Sequence, residues 1–156
     1  MRLTACLPDR VPRSLLTVNL GDLPQWEFAD PGPVRDLVVA TILAGTKTTT
    51  TGLALAYERE GNPFPTVGQR FAVVDSAGRP VAAIEIVEVR LVQISEIDLR
   101  HVLDDGDESV AQWRDAHEGY WHSGEMREIL GEPTFTVGDD TVVLAQRFEL
   151  VYPPRA

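Results

Sequence analysis

Of the fourteen Lys and Arg residues in this chain of 156, thirteen are arginine and one, Lys47, is lysine. A guanidinium stays charged, whereas an ammonium loses its proton when desolvated and can then act as base or nucleophile. A position that keeps an amine where every other cation is a guanidinium is the leading candidate for chemistry. The competing reading is a solitary lysine left by chance on a solvated loop. Lys47 stands in the run Gly45-Thr46-Lys47-Thr48-Thr49-Thr50-Thr51, so four threonine hydroxyls follow it, each able to donate or accept a hydrogen bond. In extended chain Thr48 and Thr50 share one face, and Thr49 and Thr51 the other. Desolvation alone lowers an amine towards a pKa of about 7 to 8, suited to a general base. A carboxylate in contact favours the charged form instead, which makes the lysine a clamp for a developing oxyanion and the carboxylate the base.

Carboxylates and an aromatic–histidine set supply further candidates. Glu85 shares one face of an apolar strand with Val81, Ala83, Val87, Val89 and Leu91, where an acid must titrate, pair with an arginine or sit at a bulge. The turn Asp104-Asp105-Gly106-Asp107-Glu108 brings four acids together. Asp105 is favoured over Glu85 as the partner of Lys47, because Gly106 lets the backbone approach closely and a following helix start would stabilise a carboxylate. Ser109 with Gln112 is a capping-box signature for a helix to about Tyr120, with Val110, Trp113, His117 and Tyr120 on one face. That face is either plain core, with Trp113 buried, or a pocket rim with Trp113 as a stacking wall and Arg114 and His117 as polar contacts.

The elements that must position these groups are legible in part. Pro33 suits a first helical position, Val34, Leu37, Val38, Ile42 and Leu43 recur at helical spacing, and Gly45 ends the helix. The expected order is helix, glycine stop, lysine turn, threonine strand. A strand is expected at Ser14–Leu20, another at Arg70–Val74 and a longer one at Val81–Val92. Ile94–Leu103 reads as a short helix, and Gly131–Val137 with Thr141–Val151 as a hairpin around Gly138-Asp139-Asp140. Strands dominate, without a βαβ rhythm or a glycine-rich phosphate loop. A small α+β domain follows, a mostly antiparallel β-barrel with inserted helices, over 26–152 behind an N-terminal arm at 1–25.

Composition narrows the function. The 44% hydrophobic content of the chain suffices for one substantial core. The net charge of −10 argues against a broad basic nucleic-acid surface. Three scattered histidines and the lone Cys6 form no zinc pattern and no disulfide, so neither metal nor cofactor is expected. No stretch approaches a membrane span and Met1–Arg13 lacks the apolar core of a signal peptide, so a cytoplasmic location without membrane contact is expected.

Gly45-Thr46-Lys47-Thr48-Thr49-Thr50 resembles the G-x-K-T-x-T signature of the ASCH domain, a PUA-like barrel family. Pro65-Thr66-Val67-Gly68 is similar to that family's strand entry. Asp105-Gly106-Asp107-Glu108-Ser109 with Trp113, Arg114 and His117 resembles its acidic and aromatic block, and Gln146–Val151 its closing strand. The four pieces fall in the family's order between about Trp26 and Tyr152. The resemblance implies a protein that acts on RNA or a modified nucleoside: a ribonuclease on single-stranded RNA, or an amidohydrolase that removes the acyl group of an acylated cytidine. A non-catalytic RNA-binding or small nucleotide-like ligand-binding module is the alternative. Carried over by position, the catalytic set falls on Lys47, Thr50 and Asp105, with Thr48, Trp113, Arg114, His117 and Glu85 as candidate substrate contacts. Two positions depart from the family: Asp105 stands where Glu is usual, and Ala29 where many members have Gly.

Overall fold

The computed structural model describes residues 18–154. Among these residues five strands form one sheet in the order β1-β3-β4-β5-β2. They are β1 (Gln25–Trp26), β2 (Thr49–Leu53), β3 (Arg70–Val74), β4 (Pro80–Gln93) and β5 (Val142–Tyr152). Only β1 and β3 run parallel; the other three pairings are antiparallel. The α+β class holds, but the sheet does not close: β1 and β2 are its two edges, so the barrel is better described as an open sheet. Four of the first seventeen residues belonged to the expected strand at 14–20, which thus lies mostly outside the described residues. Its last residue, Leu20, instead opens a single 3-10 turn to Asp22.

Among the described residues five helices pack around the sheet: α1 (Pro33–Ala44), α2 (Ala54–Glu60), α3 (Leu99–Asp105), α4 (Val110–Trp121) and α5 (Gly124–Leu130). Both faces of the sheet are buried. One cluster gathers Ile42 and Val39 of α1 with Ile84, Ile86 and Phe148. The other joins Val143 and Ala145 to Leu53, Trp113, Trp121 and Leu130. On β5 the odd residues 143 and 145 serve one cluster and the even residue 148 the other, as strand alternation requires.

Burial on both faces explains where the pattern reading departs from the structure. On β4 the fully buried set is Ala82, Ala83, Ile84 and Ile86, so of the face expected for Glu85 only Ala83 is fully buried, Val81, Glu85 and Val87 are partly covered, and Leu91 is exposed. A bulge between Ile86 and Glu88 then shifts the phase, so Val89 joins the cluster that Ile84 and Ile86 face. Helix α1 buries Arg35, Val39 and Ile42, whereas Val34 and Leu37 are exposed. Arg35 can turn inward because its guanidinium donates to the carbonyls of Phe28 (3.0 Å), Ala29 and Asp75. Ile94–Glu96 forms only a 3-10 turn, with α3 beginning after Asp98, whose side chain caps it through the His101 amide. Residues 131–137 form no strand, so β5 has no hairpin partner there; its neighbours are β4 and β2.

The lysine segment follows its expected course. Gly45 ends α1 in the left-handed region (φ 76°), and the Thr46 and Lys47 amides both turn back to the Thr41 carbonyl. The Thr48 amide donates to the Asp104 carbonyl at 2.8 Å, which ties the approach to β2 to the last turn of α3.

Candidate functional site

Lys47 and Asp105 meet. Their side chains are 7% and 8% exposed, and Nζ donates to Oδ1 of the carboxylate in a short, direct ion pair. Nζ also donates to the Thr49 carbonyl at 2.7 Å. β2 is an edge strand, and the Thr48 carbonyl accepts from Phe148 of β5, so alternation sends the Thr49 carbonyl to the open side. Lys47 therefore caps an acceptor that the sheet leaves unpaired. An ammonium has three N–H donors; these two contacts leave one without a hydrogen-bond partner among the described residues. Nζ also lies over the Phe28 ring, 5.8 Å from its centroid.

Asp105 is the last residue of α3, not a residue before a helix start. The carbonyl end of a helix disfavours a carboxylate, so the expected dipole support is absent. What holds the charge is Lys47 on one oxygen and the Trp113 indole N–H on the other, at 2.9 Å. Asp104 is committed elsewhere, accepting from Arg147 at 2.7 Å.

His117 completes the cluster. Its ring stacks on Trp113 with centroids 4.2 Å apart, and Nδ1–H donates to the Trp113 carbonyl at 2.8 Å. That bond fixes the tautomer and leaves the Nε2 lone pair 3.8 Å from Asp105 Oδ2, too far for a direct hydrogen bond. Burial holds the imidazole below its usual pKa, against the opposing pull of its backbone hydrogen bond and of Asp105. The half-buried Asp107 is shifted upward, first by burial and then by the charge of Asp105.

The threonines divide as strand alternation requires. Thr49 Oγ1 donates to the His101 carbonyl at 2.7 Å, and Thr51 Oγ1 pairs with His101 Nε2 at 2.8 Å. Burial pushes His101 down to about 4. Thr50 points to the opposite face, across from Gln146, and its hydroxyl bonds to none of the described residues. Thr48 Oγ1 accepts only a long contact from Arg147, at 3.4 Å.

Of the remaining candidates, Trp113 belongs to this cluster, whereas Arg114 and Glu85 are engaged elsewhere. Trp113 is fully buried and offers no open ring face to a ligand; its part is to hold Asp105 and His117. Arg114 is engaged by Glu118 (2.8 Å) and Asp139 (2.6 Å). Glu85 pairs with Arg70 at 2.9 Å on β3. Of the proposed α4 face, Tyr120 and Val110 are exposed, and the inward stripe is Trp113, His117 and Trp121 at i, i+4 and i+8. Sequence reasoning missed His101 and the place of Phe28 against Lys47. A lone histidine among leucines was the only signal for the first, and none existed for the second.

Two clefts, of about 610 and 300 Å³, share Trp26, Glu27, Tyr57, Glu60 and Asn62. Neither is walled by Lys47, Asp105 or Thr50; the smaller reaches Thr51, Gly52 and Trp121. Among the described residues no group of His, Cys, Asp and Glu is arranged to hold a metal ion, and no helix is long and apolar enough to cross a membrane.

A mostly antiparallel sheet with helices on both faces, entered through a glycine stop and a lysine–threonine turn, is a PUA-like α+β domain. The chain belongs to the ASCH domain family, whose model matches residues 24–152, a family associated with RNA binding. It is similar in fold to the crystal structure of an ASCH domain from Lactobacillus crispatus JV V101, at 24% identity and a TM-score of 0.65, covering 75% of this chain and 72% of that one. It is also similar to protein EF3133 from Enterococcus faecalis V583, at 19% identity and a TM-score of 0.68, covering 90% and 83%. No curated protein sequence matches. At these identities the structural likeness establishes the fold alone.

Proposed function

We propose that this protein is a hydrolase that removes the acyl group from an N-acylated nucleoside of the cytidine type. The observation that carries the reading is the buried Lys47–Asp105 pair with one ammonium N–H unspent. An amide carbonyl placed there becomes an oxyanion when water attacks its carbon, and the third N–H of Lys47 stabilises that charge. Asp105 keeps the ammonium aimed, and Trp113 keeps Asp105 aimed. His117 Nε2, which keeps its lone pair on a partly exposed ring 3.8 Å from Asp105 and whose pKa is lowered by burial, takes the proton from the attacking water and returns it to the departing amino nitrogen. The products are a carboxylic acid and the free amino nucleoside. Thr50, whose hydroxyl has no partner among the described residues, is left to orient the substrate.

Phosphodiester cleavage is less well supported. Arg147 and Arg114 are already paired with carboxylates, and the chain carries −10 overall, which disfavours holding a phosphate at the pair. The test is turnover on a panel of N-acylated cytidines and short RNAs by wild type and Lys47→Arg. Arginine keeps the charge but cannot reproduce a compact ammonium. We expect acylcytidine hydrolysis by wild type only, with the variant still folded in a thermal melt. Undiminished turnover by the variant would remove Lys47 from the chemistry, and inactivity of the wild type on the whole panel would leave a binding module.

A further inference from the structure

We infer that the aromatic cleft between β1 and α2 seats the ligand's nitrogenous base, and that it accepts this base as an uncharged nucleoside rather than as a nucleotide. The inference rests on the nucleoside reading above but concerns recognition, not hydrolysis. Trp26 of β1, Tyr57 of α2 and Phe71 of β3 wall the larger cleft. The Trp26 ring is fixed in place by Phe71, edge-on at 4.8 Å, and by Phe28, stacked at 5.4 Å. Rigid aromatic walls are what a flat heterocycle stacks on, and about 610 Å³ is the size of a small-molecule site.

The polar groups choose among heterocycles. Glu27 and Glu60 line both clefts, and neither forms a hydrogen bond or ion pair with a described residue. Ionised carboxylates only accept, so they select a ligand rich in N–H donors, such as the amino group of a base. Neither cleft is lined by Lys, Arg or His, so a phosphate would meet two negative charges and no cation.

A second, independent feature lies behind Tyr57. Gln146 is 1% exposed; its Nε2 donates to the Tyr57 hydroxyl at 3.3 Å, and its Oε1 has no partner. Whichever way the amide is turned, only one end reaches Tyr57, so a buried polar atom stays unsatisfied against a residue that lines the cleft. In the orientation observed, Tyr57 accepts from Gln146 and keeps its own O–H to donate to a ring nitrogen or carbonyl. Gly52 lets the ring lie there, since a Cβ would stand 2.8 Å from Tyr57 Cε2. The cleft wall and the proposed centre share a neighbour, because Phe28 stacks on Trp26 and its ring centroid stands 5.8 Å from Lys47 Nζ.

The experiment is calorimetric titration of the full chain with cytidine and with cytidine 5′-monophosphate. We expect saturable cytidine binding that weakens at least tenfold in Glu60→Gln and in Glu27→Gln, with the nucleotide bound at least several-fold more weakly than the nucleoside. Both glutamates are exposed, so folding should survive, as a thermal melt will verify, and Asp115→Asn on the surface of α4 serves as a control that leaves affinity unchanged. No saturable cytidine binding, equal affinity in both glutamate variants, or tighter binding of the nucleotide would overturn the inference. Cytidine binding with this pattern but no acylcytidine turnover would sink the hydrolase reading and leave this one standing. Turnover whose KM ignores Glu27 and Glu60 would do the reverse.

Discussion

Asp105 and Glu85 are both half of an ion pair, yet the cation each meets gives them different work. Asp105 holds an ammonium that retains a free N–H, with both oxygens engaged and 8% of its side chain exposed. Glu85 holds the Arg70 guanidinium across the β3–β4 ladder, with 20% exposed. Replacement by the amide removes ionisation with little change of shape. Asp105→Asn should lower turnover at least tenfold, about 1.4 kcal/mol of barrier, whereas Glu85→Gln should move the melting temperature more than turnover. The reverse pattern in paired assays would return the strand carboxylate to the site. Ala29 offers a separate test: it sits at φ 58°, a region costly for any residue with a Cβ. Its carbonyl accepts from Arg35, which holds the conformation in place. Ala29→Gly should therefore stabilise the fold by up to about 1 kcal/mol, a rise of roughly 2 to 4 °C in a thermal melt; a fall would show that the strain is not there.

At the scale of elements, α4 is the beam on which the site rests. Its inward stripe of Trp113, His117 and Trp121 fills the core beside α3 and also presents an indole N–H and an imidazole to Asp105. One side chain thus serves packing and positioning together. Trp113→Ala should cost about 3 to 5 kcal/mol through the cavity it leaves, read from denaturant melts. Trp113→Phe keeps most of the volume but removes the N–H donor to Asp105, so it should retain much of the stability while turnover drops. If the Phe variant is as active as wild type, the indole hydrogen bond has no part in aiming the carboxylate. β2 contributes as an edge strand: its open carbonyl at Thr49 fixes the ammonium, and its two faces send Thr49 and Thr51 to His101 and leave Thr50 unbonded.

Across the whole molecule, burial of histidine sets a pH dependence. His101 has a folded pKa of about 4, below the value near 6.5 of an unfolded histidine. Below pH 6.5 the unfolded chain takes up a proton that the folded chain refuses, so stability is complete above that pH and falls as pH drops towards 4. The loss from His101 alone is about 3 kcal/mol. His117 shifts in the same direction, whereas Asp107, raised by burial, works in the opposite sense. Melting temperature should decline from pH 7 to pH 4.5, and His101→Gln should flatten the decline. An equally steep profile in the variant would place the dependence on another group.

Local chemistry was readable from the chain itself. One lysine among thirteen arginines, the glycine stop before it, the threonine run after it and the acids beside Gly106 all announce themselves through residue type and spacing, and they carry the family resemblance. The α+β class follows from the same patterns. Tertiary structure alone decided which carboxylate meets Lys47. Asp104 and Asp105 are adjacent in sequence, and only the packing of α3 against β2 turns one to Arg147 and the other to the ammonium. It also decided which face of β4 and α1 is inside, because a sheet covered on both sides and broken by a bulge erases simple alternation. The aromatic cleft was equally hidden: Trp26, Tyr57 and Phe71 lie far apart along the chain, and contacts between distant residues leave no period for a single sequence to display.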